Sequence, residues 1–171
     1  ASSLSLLCTS PGGDIAVPTP AATQERMFDV PEGADEREAI RYKMEPAMSE
    51  AFWAANEDLI ADIVDWRLES DASEFARTQQ AAAVAAFDAT AFLGDRDLPT
   101  LVLHGTGDRV LPVANAERLH ERLSDSRLEL YEDGAHLFFV EEPDAVTADV
   151  REHVAAVEGG EGTTEAPDAD A

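Results

Sequence analysis

The stretch Leu98–Val113 reads L-P-T-L-V-L-H-G-T-G-D-R-V-L-P-V and carries the clearest fold signal in the chain. A short apolar run ends in a glycine turn, and Asp108 follows where a buried strand is expected to stop. Further along, Glu132–Phe139 reads E-D-G-A-H-L-F-F and presents His136 in the same setting. A carboxylate and an imidazole placed in this way predict the acid–histidine half of a nucleophilic triad, in which the acid holds the imidazole in its proton-accepting tautomer.

Short apolar runs alternate with amphipathic helical segments in the last third of the chain. One helix is predicted to begin at Pro112 and another at Pro143, because proline suits the first turn of a helix. Strands and helices joined by short loops predict a parallel sheet of the α/β class. The predicted strands are Ser3–Cys8, which is expected to be buried on both faces, Leu101–His104 and Arg127–Tyr131.

Residues 14–96 carry little strand signal and much helical periodicity. Helices are predicted near Asp35–Met44, from a start after Pro46 towards Leu68, and over about Ala72–Leu93. Apolar residues at helical spacing are expected to face inward on the second and third of these helices. They are Phe52, Leu59, Ile63 and Trp66 on the second helix, and Phe75, Val84 and Phe87 on the third.

The chain is strongly acidic. Its 171 residues hold 36 Asp and Glu against 12 Lys and Arg, a net charge of -24, and Lys43 is the only lysine. This charge excludes nucleic acid and anionic membrane surfaces as partners. The acids are spread along the whole chain, which indicates a solvated surface rather than a cation site. The composition resembles that of proteins from salt-accumulating halophiles, so we expect structure to be lost when salt is removed.

We expect neither a membrane segment nor export. The apolar run Ser3–Cys8 is far shorter than the ~20 residues of a membrane helix, and no basic segment of a signal peptide precedes it. Cys8 is the only cysteine, so no disulfide is expected and a cytoplasmic location is favoured. The sequence has neither H-E-x-x-H nor paired cysteines, and we expect no metal and no cofactor.

The motifs resemble the C-terminal half of the α/β-hydrolase family. The resemblance rests on T-S-P-G-G after the first predicted strand, on L-x-L-H-G-T-G-D-x-x-x-P and on G-A-H-L-F-F-x-E-x-P, and it runs from Ser3 to about Val157. It implies that Asp108 is the triad acid and His136 the general base. It also implies a partial fold, a short parallel sheet with flanking helices and an inserted cap. The expected division is a first core strand and turn at 1–13, a helical cap at 14–96, C-terminal core strands and helices at 97–157, and a disordered acidic tail at 158–171.

Among relatives, the resemblance is to esterases and enol-lactonase-like hydrolases, which implies a small ester or lactone as substrate. Aromatic and methionine residues of the predicted cap would line an apolar pocket for this substrate, or they would pack the cap helices together. The candidate substrate-binding residues are Met27, Phe28, Phe52 and Trp53.

The chain contains no G-x-S-x-G nucleophile elbow, so the nucleophile cannot be read from it. A serine would imply ester or lactone chemistry, and an aspartate would imply dehalogenase or epoxide hydrolase chemistry. Ser10 is the nearest substitute, but Pro11 after it has no N–H to donate to an oxyanion and disfavours a tight turn. Cys8 lacks the flanking glycines and is expected to be a buried strand residue.

In the family the elbow lies one strand before Ser3–Cys8, so the chain is expected to be the latter part of a longer one. Our preferred hypothesis is a carboxylic ester hydrolase-like polypeptide that is inactive by itself, because a triad without its nucleophile loses the rate enhancement of the whole unit. The alternative is a truncated or split-gene product that acts only as a partner of the missing half. Its uncovered first strand would then favour self-association.

The other three histidines are given structural roles. His104 precedes a glycine and is interpreted as a packing residue at a strand end or as a loop anchor. His120 and His153 lie on predicted helices and are expected at the surface.

Overall fold

A computed structural model describes residues 1–94 and 97–160 of the chain. Three strands form one parallel sheet in the order β1-β2-β3. Leu4 is paired with Thr100, and Thr100 with Ser126, so all three strands begin at the same edge of the sheet. The α/β class and the short parallel sheet predicted from the sequence are confirmed. The strands are β1 (Leu4–Leu7), β2 (Thr100–Gly105) and β3 (Ser126–Tyr131).

Strand β2 is the central strand, and every one of its residues is buried. Strand β1 is not buried on both faces, contrary to the sequence-based expectation: Leu4 is 39% exposed and its neighbours are half-buried. Within the described residues β1 pairs with β2 alone, and its other side carries no strand. The strand ends at Leu7 because Cys8 adopts a left-handed backbone conformation with φ 39°.

Between β1 and β2, the described residues form five α-helices. They are α1 (Ala21–Phe28), α2 (Glu36–Met44), α3 (Glu50–Ala55), α4 (Glu57–Ser70) and α5 (Glu74–Ala86). Helix α2 begins at a capping box in which Asp35 and Glu38 exchange hydrogen bonds. Ser49 and Ser73 cap α3 and α5 in the same sense, each accepting a hydrogen bond from a backbone N–H of the first turn. The buried cluster of this helical region is Ile40, Met44, Met48, Ile60 and Val64.

The prediction of a single helix that begins after Pro46 and runs towards Leu68 is wrong. A 3-10 turn (Glu45–Ala47) precedes α3, and the chain breaks at Asn56 before α4. The side chain of Asn56 donates to the carbonyl oxygen of Phe52 at 2.8 Å, and such local hydrogen bonds compete with helix continuation. The break rotates α4 so that Ile60 and Val64 are buried and Trp66, predicted to face inward, is exposed.

The prediction for the third helix also needs correction. Helix α5 is shorter than Ala72–Leu93, and Phe75 and Val84 are about three-quarters exposed, at 75% and 74%. Phe87 is exposed as well. The helix ends because the next segment is extended and pairs with the T-S-P-G-G turn: Gly13 N donates to the carbonyl oxygen of Phe87 at 3.1 Å. No residue of α5 is buried.

After β2 the chain alternates as predicted. Helix α6 (Ala114–Arg122) joins β2 to β3, and α7 (Phe138–Glu141) and α8 (Pro143–Gly160) follow β3. Helix α6 starts two residues after Pro112 rather than at it. The buried cluster beside the sheet is Leu101, Leu103, Tyr131, Phe138 and Val146.

Helix α8 changes two expectations. It runs to Gly160, so residues 158–160 of the predicted disordered tail are helical, and the remaining tail, 161–171, lies outside the described residues. His153 is buried rather than at the surface, and it lines a cavity beside Thr100 with the N-terminal residues. Within 1–94 and 97–160, no helix combines the length and apolarity needed to cross a bilayer.

Candidate active site

Asp108 and His136 lie on the loops that follow β2 and β3. Because the two strands are parallel neighbours, their carboxyl ends lie at the same edge of the sheet. His136 Nδ1 lies 2.8 Å from Asp108 Oδ2. The structure therefore brings together the two residues that the sequence singles out.

The two loops touch through their backbones, which explains their glycines. Gly107 N donates to the carbonyl oxygen of Gly134 at 3.0 Å. A Cβ atom on Gly105 would lie 2.0 Å from that same oxygen, and one on Gly107 would lie 2.9 Å from the carbonyl oxygen of Asp133. A side chain at either position would force the loops apart, so the glycines of H-G-T-G-D allow the acid loop to approach the histidine loop.

The carboxylate of Asp108 has no exposed surface. Its Oδ1 accepts hydrogen bonds from the backbone N–H groups of Val110 at 2.7 Å and Leu111 at 2.8 Å. Its Oδ2 faces His136 Nδ1 and, at 3.1 Å, His104 Nε2. Burial acts to raise the pKa of Asp108, but the hydrogen bonds from His104, His136 and the Leu111 amide outweigh it and lower that pKa to about 2. Asp108 is therefore ionised at neutral pH.

His136 is the solvent-facing member of the pair, with 23% of its side chain exposed. Because Asp108 can only accept a hydrogen bond, the proton between them lies on His136 Nδ1. In the neutral ring Nε2 then carries a lone pair, and it has no hydrogen-bond partner among the described residues. This arrangement can accept a proton from a group that approaches Nε2.

His104 contacts the acid loop at two points, one of which sequence reasoning missed. Its Nε2 lies 2.8 Å from the carbonyl oxygen of Leu111, which agrees with its interpretation as a loop anchor. The same nitrogen lies 3.1 Å from Asp108 Oδ2. The available signal was its place at the end of a predicted strand, four residues before the acid.

Arg109 is a second residue that sequence reasoning missed. Its guanidinium donates to the carbonyl oxygens of Glu45 at 2.9 Å and Met48 at 2.8 Å, in the turn between α2 and α3. Leu137, next to the candidate base, donates its N–H to the carbonyl oxygen of Ala47 at 2.8 Å. Residues 45–49, named the bridging segment here, are thus held by the neighbours of both members of the pair. A signal was present in the sequence, since an arginine directly after a buried acid is unusual in a chain with few basic residues.

The four candidate substrate-binding residues occupy different places. Phe52 and Trp53 are partly buried and pack against the apolar cluster of the helical region, as does Leu137. Met27 lines a cavity of about 790 Å³ whose walls do not include Asp108 or His136. The side chain of Phe28 lies outside the described part of the structure.

Ser10 is held in a structural turn. Its hydroxyl lies 3.3 Å from Asn115 Oδ1 and accepts a hydrogen bond from Gly12 N at 3.2 Å. Asn115 is fully buried, and its amide is bonded to both the N–H and the carbonyl oxygen of Val17, at 2.7 and 2.9 Å. Sequence reasoning missed Asn115, although a polar residue within the apolar face of α6 was a usable signal.

Cys8 lies at the carboxyl end of β1. Burial, and to a smaller extent the charge of Asp108, raise the pKa of its thiol to about 12, so the thiolate is not the form present at neutral pH. Within the described residues, no group of three or more His, Cys, Asp or Glu side chains is placed to hold a metal ion.

The comparisons with known proteins agree with this architecture. The alpha/beta hydrolase fold family model matches residues 24–143. A pimeloyl-[acyl-carrier protein] methyl ester esterase from Aromatoleum aromaticum is 40% identical over 57 residues, which is 33% of this chain and 23% of that protein.

Two solved structures illustrate the fold. An esterase from Thermogutta terrifontis is 25% identical with a TM-score of 0.67, over 91% of this chain and 56% of that one. The 2-hydroxy-6-oxo-6-phenylhexa-2,4-dienoate hydrolase from Rhodococcus sp. strain RHA1 is 19% identical with a TM-score of 0.69, over 90% and 55%. The chain thus spans about half the length of these structures. Since the family model matches well over half of its residues, the chain belongs to the alpha/beta hydrolase fold family.

Proposed function

We propose that this chain carries the acid and the general base of a carboxylic ester hydrolase that acts on a small ester or lactone. Asp108 is the acid and His136 the base. The observation that supports this best is the 2.8 Å hydrogen bond between a fully buried, ionised carboxylate and a partly exposed imidazole. The esterase relatives support the ester as the substrate class.

In the proposed mechanism, His136 Nε2 takes a proton from a nucleophile as that nucleophile attacks the ester carbonyl carbon. Asp108 stabilises the imidazolium that forms, and the imidazolium then gives its proton to the leaving alkoxide. A water molecule activated by the same nitrogen releases the acid product and restores the nucleophile. We propose that the nucleophile comes from outside these 171 residues, since they contain no G-x-S-x-G motif. A serine there would give the ester or lactone chemistry.

The proposal extends to the substrate pocket. Phe52 and Trp53 share an apolar cluster with Leu137, the residue after His136, and are proposed to form the apolar wall for the acyl group. Met27 and Phe28 stay proposed substrate-binding residues on the strength of the sequence pattern alone. Residues 14–96 would then act as the cap, with the bridging segment at its base.

A second candidate function is that of a non-catalytic partner for a polypeptide that supplies the rest of the fold. Two observations favour it. Strand β1 has no neighbour on one side within the described residues, and α5 with its following loop exposes large apolar side chains, Phe75, Val84 and Phe92. Such an edge and such side chains favour association, with that polypeptide or with a second copy of this chain.

The deciding experiment measures hydrolysis of p-nitrophenyl acetate by the protein expressed from its own gene, with all adjoining coding sequence retained. We expect hydrolysis that falls by a factor of ~10⁶ in His136→Ala and ~10⁴ in Asp108→Asn. His120→Ala is the matched control, because His120 contacts Ser126 and lies away from the pair. Hydrolysis that survives His136→Ala would refute the assignment of the base.

The 171-residue chain assayed alone tests the source of the nucleophile. We expect no turnover. Turnover that depends on His136 would place the nucleophile within these residues and make Ser10 the first candidate. If neither form hydrolyses the ester, the hydrolase proposal fails and the partner function is favoured.

A further inference from the structure

His104 is a fully buried histidine that the proposed mechanism does not use. It is the last residue but one of the central strand β2, which places it beside the loop that carries Asp108. A buried imidazole has two polar nitrogen atoms that cannot bond to bulk water. Their partners in the protein therefore determine where the ring is protonated and which groups it contacts.

The partners of Nε2 fix the position of its proton. This nitrogen lies 2.8 Å from the carbonyl oxygen of Leu111 and 3.1 Å from Asp108 Oδ2. Both oxygens are acceptors, because Asp108 is ionised, and an unprotonated nitrogen would repel both of them. His104 Nε2 therefore carries a hydrogen, which it shares between the backbone and the carboxylate.

The other nitrogen, Nδ1, is buried and has no hydrogen-bond partner within the described residues. A proton there would face no acceptor, so the neutral ring with a single N–H at Nε2 is the state that fits this environment. Both acceptors of that N–H, the Leu111 carbonyl oxygen and Asp108 Oδ2, belong to the loop that carries the acid. Oδ2 of Asp108 is thus contacted by two imidazoles, His136 and His104.

We infer that His104 is a positioning residue for the acid. It holds the turn as far as Leu111, and with it the carboxylate of Asp108, in the orientation in which Asp108 hydrogen-bonds His136. This inference rests on the proposed function for its catalytic meaning, but the contact itself can be tested without any activity. Two effects follow from it. The bond to Leu111 fixes the path of the loop, and the contact with Oδ2 stabilises the ionised carboxylate.

The first test is spectroscopic and uses the unmodified protein. A two-bond ¹H–¹⁵N correlation spectrum of histidine-labelled protein distinguishes the tautomers of all four histidines. We expect His104 at pH 7 as the neutral ring protonated at Nε2. A ring protonated at Nδ1, alone or together with Nε2, would overturn the inference whether or not the protein hydrolyses esters.

The second test compares two variants. His104→Gln places an amide nitrogen near the position of Nε2, whereas His104→Leu fills a similar volume without a donor. The readout is the titration of the Asp108 carboxyl carbon by ¹³C NMR. We expect the pKa of Asp108 to rise by about one pH unit in His104→Leu and to stay within a few tenths of the wild-type value in His104→Gln.

An unchanged pKa of Asp108 in His104→Leu would show that His104 only packs, and would overturn the inference. If His104→Leu does not fold, the tautomer of His104 in the wild type and the titration of Asp108 in His104→Gln decide. A rise of about one pH unit in the pKa of Asp108 in His104→Gln would count against the positioning role of His104. In the protein expressed with all adjoining coding sequence, His104→Leu should lower kcat for p-nitrophenyl acetate about tenfold with little change in KM. Absence of ester hydrolysis in the wild-type protein, with the tautomer and the titration as expected, would refute the proposed function and leave the contact standing.

Discussion

The carbonyl oxygen of Gly134 lies 2.0 Å from the place that a Cβ atom on Gly105 would occupy. Neither atom belongs to a flexible side chain, so Gly105→Ala must move backbone. We expect a loss of about 1–3 kcal/mol in the free energy of unfolding and a weaker Asp108–His136 hydrogen bond. Urea unfolding measures the first, and the NMR signal of the His136 Nδ1 proton reports the second. Gly94→Ala is the control, because a Cβ there meets nothing within 4 Å. Equal stability of the two variants would contradict the prediction.

The ionised Asp108 should make stability depend on pH in the acid range. Its pKa is lowered from 3.8 to about 2 in the folded protein, so the unfolded state binds a proton more readily. Its contribution, about 2 kcal/mol, is complete above pH ~4 and is lost as pH falls towards 2. The stability advantage of the wild type over Asp108→Asn should therefore shrink across this range. Asp58→Asn removes the same charge from an exposed site and is the control. Parallel wild-type and Asp108→Asn curves down to pH 2 would rule out the linkage.

Arg109→Met should loosen the bridging segment. The change removes donors from the carbonyl oxygens of Glu45 and Met48, and Met48 is fully buried. We expect a loss of about 1–3 kcal/mol in the free energy of unfolding, because the carbonyl group of the buried Met48 loses this donor, together with faster hydrogen exchange at the Leu137 N–H. Arg122→Met changes the charge equally at an exposed position of α6. If both variants behave alike, charge rather than the hydrogen bonds explains the result.

The net charge of -24 leads to a prediction about salt. Exposed carboxylates repel one another over a distance that grows from about 3 Å at 1 M salt to about 30 Å at 0.01 M. We expect the far-ultraviolet circular dichroism of a folded protein in molar salt and a loss of helix signal on dialysis to millimolar salt. Sucrose added at equal osmolality is a control for effects other than screening. A spectrum that does not change with salt would refute the prediction.

The parts of this fold with strong local signals could be predicted from the sequence. Strand β2 is an apolar run and β3 alternates polar and apolar residues. Both lead into glycine turns, and these turns place Asp108 and His136 at one edge of the sheet. The exposure of Phe75 and Val84 could not be predicted in this way. Helical periodicity tells which residues share a face, but not whether another part of the chain covers that face.

The remaining errors depend on single contacts. The break between α3 and α4 follows from one side-chain hydrogen bond of Asn56. The contacts of His104 with Asp108 and of Arg109 with the bridging segment depend on the path of the loop after β2, which spacing alone does not define. His104 was identified in the sequence and Arg109 stands beside the identified Asp108, but the partners of both residues required the three-dimensional structure.

The attachment of Arg109 to the backbone at Glu45 and Met48 has a mechanical consequence. Arg109 follows the acid and hydrogen-bonds the turn between α2 and α3. Outward movement of these two helices would therefore pull on the loop that carries Asp108. Such a displacement would be transmitted, through the Arg109 side chain, to the loop that orients the acid for His136.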